Sequence, residues 1–198
     1  KATRFLANEL FSTEGLVIID GDDRNLKTIF APHIKDELIH QNSFKEVSKT
    51  IHQLKDYTVQ VNPREINLFY IEDNLRERIV FEDNIYKVNH TKIQFSESEI
   101  LEALHNSPEK FSPNVILRPL YQEVILPNLA YIGGGGEIAY WLELKSNFEN
   151  QKVTFPILML RNSFVVATEK QMEKMEKLQI TWSDLFLPQE ELFHQKTK

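Results

Sequence analysis

The 198-residue sequence contains no cysteine. Disulfides, cysteine-ligated metal sites and a thiol nucleophile are therefore excluded within this chain. Basic residues are also scarce, because 23 Lys and Arg stand against 29 Asp and Glu and give a net charge of −6. Non-specific nucleic-acid binding needs a basic surface, and no apolar run reaches the roughly 18 residues of a membrane-spanning helix. We therefore expect a cytoplasmic protein with neither nucleic acid nor membrane as a partner.

Glycine is rare as well, and four of the six glycines form one run, Gly133 to Gly136. An apolar stretch that predicts a strand precedes this run, and a helical pattern follows it. The spacing fits neither the G-x-G-x-x-G fingerprint nor a P-loop. Glycine lets a ligand approach the backbone, and a helix N-terminus favours an anion. The run therefore indicates either a ligand-binding loop, with Gly133, Gly134, Gly135 and Gly136 in contact with substrate, or a tight turn under close packing.

Two side chains that follow the glycines are further candidates. Glu137 lies near the predicted helix N-terminus, where the helix dipole favours a carboxylate. It could equally bind an ammonium or hydroxyl group of a substrate. Tyr140 and Trp141 lie three and four residues on, so one of them shares a face with Glu137. An aromatic residue at this spacing can belong to the core or to a site.

A second dense segment lies between Ser112 and Gln122. The spacing of its polar residues places them on roughly one face of a predicted helix. A guanidinium, two amides and a phenol on one face suit a carboxylate or phosphate ligand. The alternative is a capping asparagine and an interdomain salt bridge. The substrate-binding candidates here are Asn114, Arg118, Tyr121 and Gln122.

A third group, Arg161, Asn162 and Ser163, follows the predicted strand 155–160. Open α/β sheets bind ligands at the carboxyl ends of their strands, so these residues are also substrate-binding candidates. The alternative is a surface turn.

Metal binding has little support in the sequence. Asp20, Asp22 and Asp23 follow a predicted strand and could hold magnesium, but aspartates are also common in turns and helix caps. The six histidines show no metal-binding spacing such as H-E-x-x-H, and no G-x-S-x-G motif indicates a hydrolase. We predict no metal site, with these three aspartates as weak candidates.

The pattern of apolar residues predicts an α/β fold. Helix–strand units alternate at both ends of the chain and favour a parallel sheet, with Leu16–Ile19 as one buried parallel strand. Short β-type runs separated by Asn and Asp turns predict an antiparallel module over 57–95. We predict strands at 58–61, 66–71, 78–81, 85–88 and 155–160, and helices at 2–13, 24–41 (kinked or broken at Pro32), 43–56, 96–106, 114–122, 137–149 and 169–179.

Four segments in this order resemble the bacillithiol biosynthesis cysteine-adding enzyme family. They are Gly15 to Asp23, Ser112 to Gln122, Tyr131 to Trp141 and Phe155 to Ser163. The resemblance covers nearly the whole chain. Family members are considerably longer, so we expect an internal fragment.

The resemblance implies a Rossmann-like parallel sheet core interrupted by an antiparallel β-rich connecting segment. It also implies a C-terminal coiled coil that makes the full-length protein a homodimer. The corresponding organisation is core at 1–56, a connecting segment at 57–95, continued core with the glycine run at 96–180, and the helical start of a connecting or coiled-coil region at 181–198.

The activity implied is that of a carbon–nitrogen ligase, which adds cysteine to the amino group of glucosaminyl-malate. ATP or another nucleotide could activate the cysteine carboxylate, although the cofactor is unknown. Glu137 is then a candidate catalytic base, and the isolated fragment is expected to be inactive. Two alternatives stay open: a non-catalytic scaffold or oligomerisation fragment, and a nucleotide-dependent transferase that acts on a different substrate.

Overall fold

A computed structural model describes residues 2–196 of the chain. It divides into two compact units, Lys1–Arg161 and Asn162–Lys198, which are described separately below. The predicted core segment 1–56 and the predicted helical region 181–198 include Lys1, Thr197 and Lys198, which lie outside the described residues.

The first unit opens with three helices, each at a predicted place. Helix α1 spans Ala2–Phe11, and the chain then turns at Gly15, which has a φ of 75°. Helix α2 spans Arg24–His40 and continues through Pro32 without interruption, which excludes the predicted break. Helix α3 spans Asn42–Gln53.

An antiparallel sheet follows, in agreement with the predicted β-rich segment. Its strands are β1 Leu68–Glu72, β2 Leu75–Glu82, β3 Ile85–Val88, β4 Gln94–Phe95 and β5 Phe111–Pro113, in the order β4-β3-β2-β1-β5. Asn74, Asp83 and Asn84 adopt positive φ in the hairpin turns, as asparagine and aspartate tolerate well.

The predicted strand at 58–61 is wrong. This segment has no regular structure, and the backbone N–H groups of Gln60 and Val61 donate to the carboxylate of Glu143 at 2.7 and 3.2 Å. The β-type residues therefore bind a buried side chain instead of a neighbouring strand.

The rest of the first unit alternates helices with two strands. Ser96 and Glu99 form a capping box at the start of helix α4, which is predicted at 96–106. The elements are α4 Glu97–Asn106, α5 Arg118–Ile125, β6 Ala130–Gly133, α6 Gly135–Glu143, α7 Lys145–Asn150 and β7 Ile157–Leu160. Strands β6 and β7 pair in parallel as a separate two-stranded sheet.

Parallel pairing among the described residues is limited to these two strands, so the structure does not confirm the predicted parallel core. Leu16–Ile19, predicted as a buried parallel strand, has no regular structure, and Leu16, Val17 and Ile19 are exposed by 42, 67 and 42%. A parallel strand requires a neighbour to satisfy its backbone groups, and this run pairs with no strand in the described part of the chain. The larger sheet of the fold is antiparallel throughout.

The hydrophobic core of the first unit joins the helices to the inner face of the antiparallel sheet. Trp141 of α6 is completely buried and lies 5.9 Å from the ring of Phe148 in α7. Other fully buried side chains in this core include Phe30, Ile34, Leu68, Ile79, Ile100, Phe111, Ile116 and Leu120.

Glu37 connects α2 to two other segments from a buried position. Its carboxylate accepts hydrogen bonds from the hydroxyl of Ser43 at 2.7 Å and from the backbone N–H of Asn67 at 2.8 Å. Burial raises the pKa of Glu37, while the bonds from Ser43 and Asn67 act in the opposite direction. This carboxylate therefore fixes the start of α3 and the approach to β1.

The second unit contains two short helices, α8 Glu169–Lys177 and α9 Gln189–Lys196. Both lie where helical patterns are predicted. Thr168 and Gln171 form a capping box for α8. Met172 and Met175 are half-buried, whereas Leu178 is 60% exposed. Across residues 2–196, no helix is both long and apolar enough to span a membrane.

The Glu37→Ala substitution tests the role of this buried carboxylate. We expect the free energy of unfolding to fall by about 1–3 kcal/mol, because donors of Ser43 and Asn67 lose their acceptor inside the protein. Urea denaturation followed by tryptophan fluorescence measures the change. Glu65→Ala, at an exposed glutamate, is the control and should change stability by less than about 0.5 kcal/mol. Equal effects of the two substitutions would contradict this role.

Candidate functional site

The glycine run forms a junction of one residue between a strand and a helix. Gly133 ends β6, Gly134 is the N-cap, and Gly135 and Gly136 form the first turn of α6. The predicted four-residue loop is thus much shorter than expected. Among the six glycines, only Gly15 has a positive φ, so backbone freedom does not explain the run.

Packing explains one of the four glycines, because a Cβ atom on Gly133 would lie 2.7 Å from Cε1 of Tyr131. A Cβ atom on Gly134 would lie 3.3 Å from the exposed guanidinium of Arg161, which can move aside. At Gly135 and Gly136 a Cβ would meet nothing within 4 Å. The space that a side chain would occupy at these two positions is therefore empty, and the first turn of α6 is exposed to solvent there.

Glu137 closes this junction. Its carboxylate accepts hydrogen bonds from the backbone N–H of Gly134 at 2.9 Å and from the hydroxyl of Tyr131 at 3.2 Å. These bonds, with smaller contributions from the charges of Arg161 and Arg118, lower the pKa of Glu137. Because both oxygens accept hydrogen bonds, the arrangement favours an ionised cap that positions the turn; its catalytic role stays a prediction.

Two tyrosines lie beside this cap. The ring of Tyr131 stacks on Trp141 with centroids 4.0 Å apart, and burial, followed by the charge of Tyr140, raises its pKa. Tyr140 is itself buried, and its hydroxyl accepts a hydrogen bond of 2.6 Å from the guanidinium of Arg118. The phenol of Tyr140 therefore holds Arg118, the first residue of α5, close to the start of α6.

Arg161 reaches the same place from the end of β7. Its backbone N–H donates to the carbonyl of Gly133 at 2.9 Å, which extends the pairing of the two strands by one residue. Its exposed guanidinium lies beside Gly134. The carboxyl end of the parallel sheet thus presents two guanidiniums, two phenols and one carboxylate. We call Arg118, Tyr131, Glu137, Tyr140 and Arg161 the arginine–tyrosine cluster.

This cluster suits an anionic ligand. Its formal charges are two positive and one negative, and guanidiniums bind carboxylates or phosphates in a planar, two-point geometry. The exposed first turn of α6 adds backbone N–H groups and the positive end of the helix dipole. Ligand binding at the carboxyl ends of strands is also the usual arrangement in open α/β sheets.

Tyr131 was not among the residues that the sequence pattern singled out. Its signal in the sequence is its place in the predicted strand before the glycine run, six residues before Glu137.

Three sequence candidates do not join the arginine–tyrosine cluster. The predicted shared helix face is wrong for Asn114, because α5 begins only at Arg118. Asn114 instead accepts from the backbone N–H of Ile116 at 2.8 Å and caps the turn before α5. Tyr121 is buried and donates to the carbonyl of Gly21 at 2.8 Å. Gln122 donates to Glu123 at 3.1 Å. Their binding roles stay predictions.

The three aspartates also have structural partners. Asp20 pairs with Arg4 at 3.2 Å, Asp22 lies 3.6 Å from the buried ammonium of Lys27, and Asp23 caps α2. Burial, together with the charges of these aspartates, raises the pKa of Tyr121 to about 12. In the stretch from residue 2 to residue 196, no three histidine, aspartate or glutamate side chains come close enough to share a metal ion.

Asn162 and Ser163 are the first residues of the second unit and are both exposed. Nothing in their local structure tests a binding role, which stays a prediction.

An apolar groove of about 370 Å³ in the first unit opens beside Gly135. Its walls are the end of α3, the irregular segment 57–60 and one side of α6. The sequence did not indicate this groove, because most of the segment 57–60 belongs to the predicted strand at 58–61. Its apolar lining is formed by Ile51, Leu54, Tyr57, Val59, Ile138, Ala139 and Leu142.

Comparison with known proteins identifies the family. The profile described as "Bacillithiol biosynthesis BshC, N-terminal Rossmann-like domain" matches residues 1–162. The chain belongs to this BshC family. The match contains both strands of the parallel sheet and the whole arginine–tyrosine cluster.

Several curated relatives carry the name "Putative cysteine ligase BshC". One from Flavobacterium johnsoniae is 66% identical over 191 residues, which cover 96% of this chain and 36% of the relative. One from Flavobacterium psychrophilum is 67% identical over 197 residues, or 100% of this chain and 37% of the relative. One from Christiangramia forsetii is 54% identical over 199 residues, again 37% of its length. The chain thus spans a little over a third of these BshC relatives.

A pair of alanine substitutions separates the glycines that packing requires from those it does not. Gly133→Ala should lower the free energy of unfolding by about 1–3 kcal/mol, because the new methyl group overlaps the ring of Tyr131. Gly136→Ala should leave it unchanged or raise it by less than about 1 kcal/mol, because alanine favours a helix. Thermal and urea denaturation measure both. A large loss of stability in Gly136→Ala would contradict the open space at this position.

The lowered pKa of Glu137 has a consequence for the pH dependence of stability. A carboxylate with a folded pKa below its unfolded value, near 4.5, stabilises the protein above that value and loses this contribution as the pH falls through the folded pKa. The stability advantage over Glu137→Gln should therefore be full at neutral pH and shrink only below pH 4.5. Urea titrations between neutral and acid pH measure it, with exposed Glu149→Gln as the control. A difference that does not depend on pH would contradict the ionised cap.

Proposed function

We propose that this chain forms part of a ligase that joins the carboxyl group of cysteine to the amino group of glucosaminyl-malate in bacillithiol biosynthesis. Its membership of the BshC family and the ligase names of its relatives support this reaction. Because the chain covers a little over a third of those relatives, the complete reaction is proposed for the longer protein. A homodimer in the cytoplasm is part of the same proposal.

The observation that carries the proposal is the pair of arginines at the carboxyl end of the parallel sheet. Tyr140 holds the guanidinium of Arg118 through a 2.6 Å hydrogen bond, and the guanidinium of Arg161 lies against Gly134. Glucosaminyl-malate has two carboxylates on its malyl group. Each could accept a charge-assisted hydrogen bond from one arginine, which gives affinity and orientation together.

The first turn of α6 is suited to the other oxygens of the substrate. Gly135 and Gly136 carry no side chain into the space in front of the helix, so a carboxylate, phosphate or sugar hydroxyl could reach their N–H groups. We propose that this open turn explains why two glycines stand where packing requires neither.

Glu137 contributes charge and position in this proposal. Its carboxylate is ionised and already accepts bonds from Gly134 and Tyr131, so it attracts the ammonium group of the substrate and orients it. Proton removal from that group is a second role that we propose for Glu137, since the amine must be neutral to attack a carboxyl carbon.

Amide formation also requires activation of the cysteine carboxylate, because one carboxylate oxygen must leave as the new carbon–nitrogen bond forms. A nucleotide such as ATP could take up that oxygen by forming an acyl phosphate or an acyl adenylate. We propose a nucleotide as co-substrate on this chemical ground, with the first turn of α6 as one place that suits its phosphates.

Binding of glucosaminyl-malate to the full-length protein tests the arginine pair. Arg118→Ala and Arg161→Ala should each weaken binding by about tenfold or more, because each removes a charged hydrogen-bond donor. Isothermal titration calorimetry measures the affinity. Arg64→Ala, an exposed arginine of the same unit outside the cluster, is the matched control and should bind as the unchanged protein does. Unchanged affinity in both cluster variants would remove the arginines from the site.

The reaction itself is tested by mass spectrometry of the products. The full-length protein, supplied with cysteine, glucosaminyl-malate and ATP, should yield cysteinyl-glucosaminyl-malate, and parallel reactions with other nucleotides identify the co-substrate. Formation of a different product from these substrates would support a transferase on the same fold. No product with any nucleotide, in a protein that binds glucosaminyl-malate, would contradict the ligase proposal.

A further inference from the structure

The apolar groove of the first unit runs along α6 from its first turn. Gly135, Ile138 and Leu142 line it, and they span about two turns of the helix, or about 10 Å. Its volume of about 370 Å³ lies within the range of about 300–1,000 Å³ that is usual for small-molecule sites. Every residue that lines the groove belongs to the first unit, so its concave shape is a property of that unit.

A buried carboxylate holds one wall of the groove in place. Glu143 lines the groove and is only 4% exposed. Its two oxygens accept the backbone N–H groups of Gln60 and Val61 at 2.7 and 3.2 Å. These bonds attach the irregular segment 57–60 to the end of α6. The wall is therefore already ordered, and a ligand would bind without the entropic cost of ordering it.

The lining of the groove suits a flat ring. Tyr57 contributes an aromatic side chain from the irregular segment, and Ile138 and Leu142 contribute aliphatic side chains from α6. Nucleobases stack on aromatic side chains irrespective of base identity, and an aliphatic surface excludes water from the ring. The groove therefore has the chemical character of a site for a nucleobase.

The end of the groove at Gly135 lies next to positive charge. Gly135 is the first residue of α6, where the backbone N–H groups and the helix dipole favour an anion. A Cβ atom at this position would meet nothing within 4 Å, and the guanidinium of Arg161 lies beside the preceding residue, Gly134. An apolar groove that ends at such a place is complementary to a ligand with a flat ring at one end and an anionic group at the other.

We propose that this groove binds the base and ribose of a nucleotide whose phosphates lie at the first turn of α6, beside Arg161. The inference rests on the proposed use of a nucleotide as co-substrate, and it adds the surface that recognises the nucleoside. An apolar protein segment could fill the groove, but it would bring no anion to the positive end of α6. Charge complementarity therefore favours the nucleotide over a segment of protein.

Nucleotide affinity of the full-length protein tests the groove. Isothermal titration calorimetry compares ATP with inorganic tripolyphosphate, which has a triphosphate group but no nucleoside. Leu142→Gln makes the lining polar without adding charge, and Ala139→Leu places a larger side chain in the groove. Leu126→Gln is the matched control, because Leu126 lies outside the groove and both leucines are 41% exposed.

We expect the unchanged protein to bind ATP about tenfold or more tightly than tripolyphosphate, because the nucleoside adds apolar contacts. Leu142→Gln and Ala139→Leu should each weaken ATP binding about fivefold or more. Both variants should keep the affinity for tripolyphosphate, which shows that they remain folded. Leu126→Gln should bind ATP and tripolyphosphate as the unchanged protein does.

Photolabelling locates the base independently of any substitution. An ATP derivative with an azide on its base, irradiated on the unchanged full-length protein, should label residues within 54–60 or 138–142, which line the groove. Peptide mass spectrometry identifies the labelled residues, and excess ATP should prevent the labelling.

Equal ATP affinity in Leu142→Gln and Leu126→Gln would overturn the proposal, and so would a label confined to other segments. Both results are expected if a segment of protein fills the groove instead. Absence of ATP binding would also overturn it. Formation of cysteinyl-glucosaminyl-malate by the same protein is measured separately, so the groove can fail as the nucleoside site while the ligase reaction stands.

Discussion

The one-residue turn at Gly134 is the constraint on which the candidate site depends. A strand and a helix joined by a single residue must place the helix N-terminus directly at the strand end. Glu137 stabilises this geometry by accepting from the N–H of Gly134, and Arg161 stabilises it by donating to the carbonyl of Gly133. The tightness of the turn excludes a side chain at Gly133, so the packing of the turn determines one of the four glycines.

Buried glutamates perform a related task elsewhere in the first unit. Glu37, Glu123 and Glu143 are each nearly inaccessible, and each accepts a backbone N–H from a segment without regular structure. Their donors belong to Asn67, Asn128 and Gln60, respectively. Buried backbone groups need partners, and a carboxylate with two oxygens can serve several donors at once. Acidic side chains thus replace strand pairing where the chain crosses between elements.

Local features were predictable because short-range interactions determine them. The capping box of Ser96 and Glu99, the turn at Gly15, the helix that starts after Asp23 and the hairpin at Asp83-Asn84 all depend on neighbours within a few residues. The strand at 85–88 was predicted with its full length for the same reason. Of the candidate site, the sequence indicated Arg118, Glu137, Tyr140 and Arg161, because strand ends and a helix start can be recognised from apolar patterns.

Long-range pairing accounts for what the sequence could not predict. Leu16–Ile19 and the segment 58–61 both have the composition of strands, yet neither forms one, because a strand exists only where another strand accepts and donates its hydrogen bonds. Tyr121 and Asn114 have the polar groups of a binding site. However, Tyr121 donates a hydrogen bond to Gly21 and Asn114 donates one to Asn67, and both partners lie far away in sequence.

The sequence by itself therefore determined the family, most of the helices, the antiparallel hairpins and the special character of the glycine run, since each depends on residue identity or on close neighbours. Only the tertiary structure decided that this run is a one-residue turn and that Tyr131 belongs with Arg118 and Arg161. These features depend on which distant segments of the chain come into contact. Packing and hydrogen bonding across the whole fold determine those contacts.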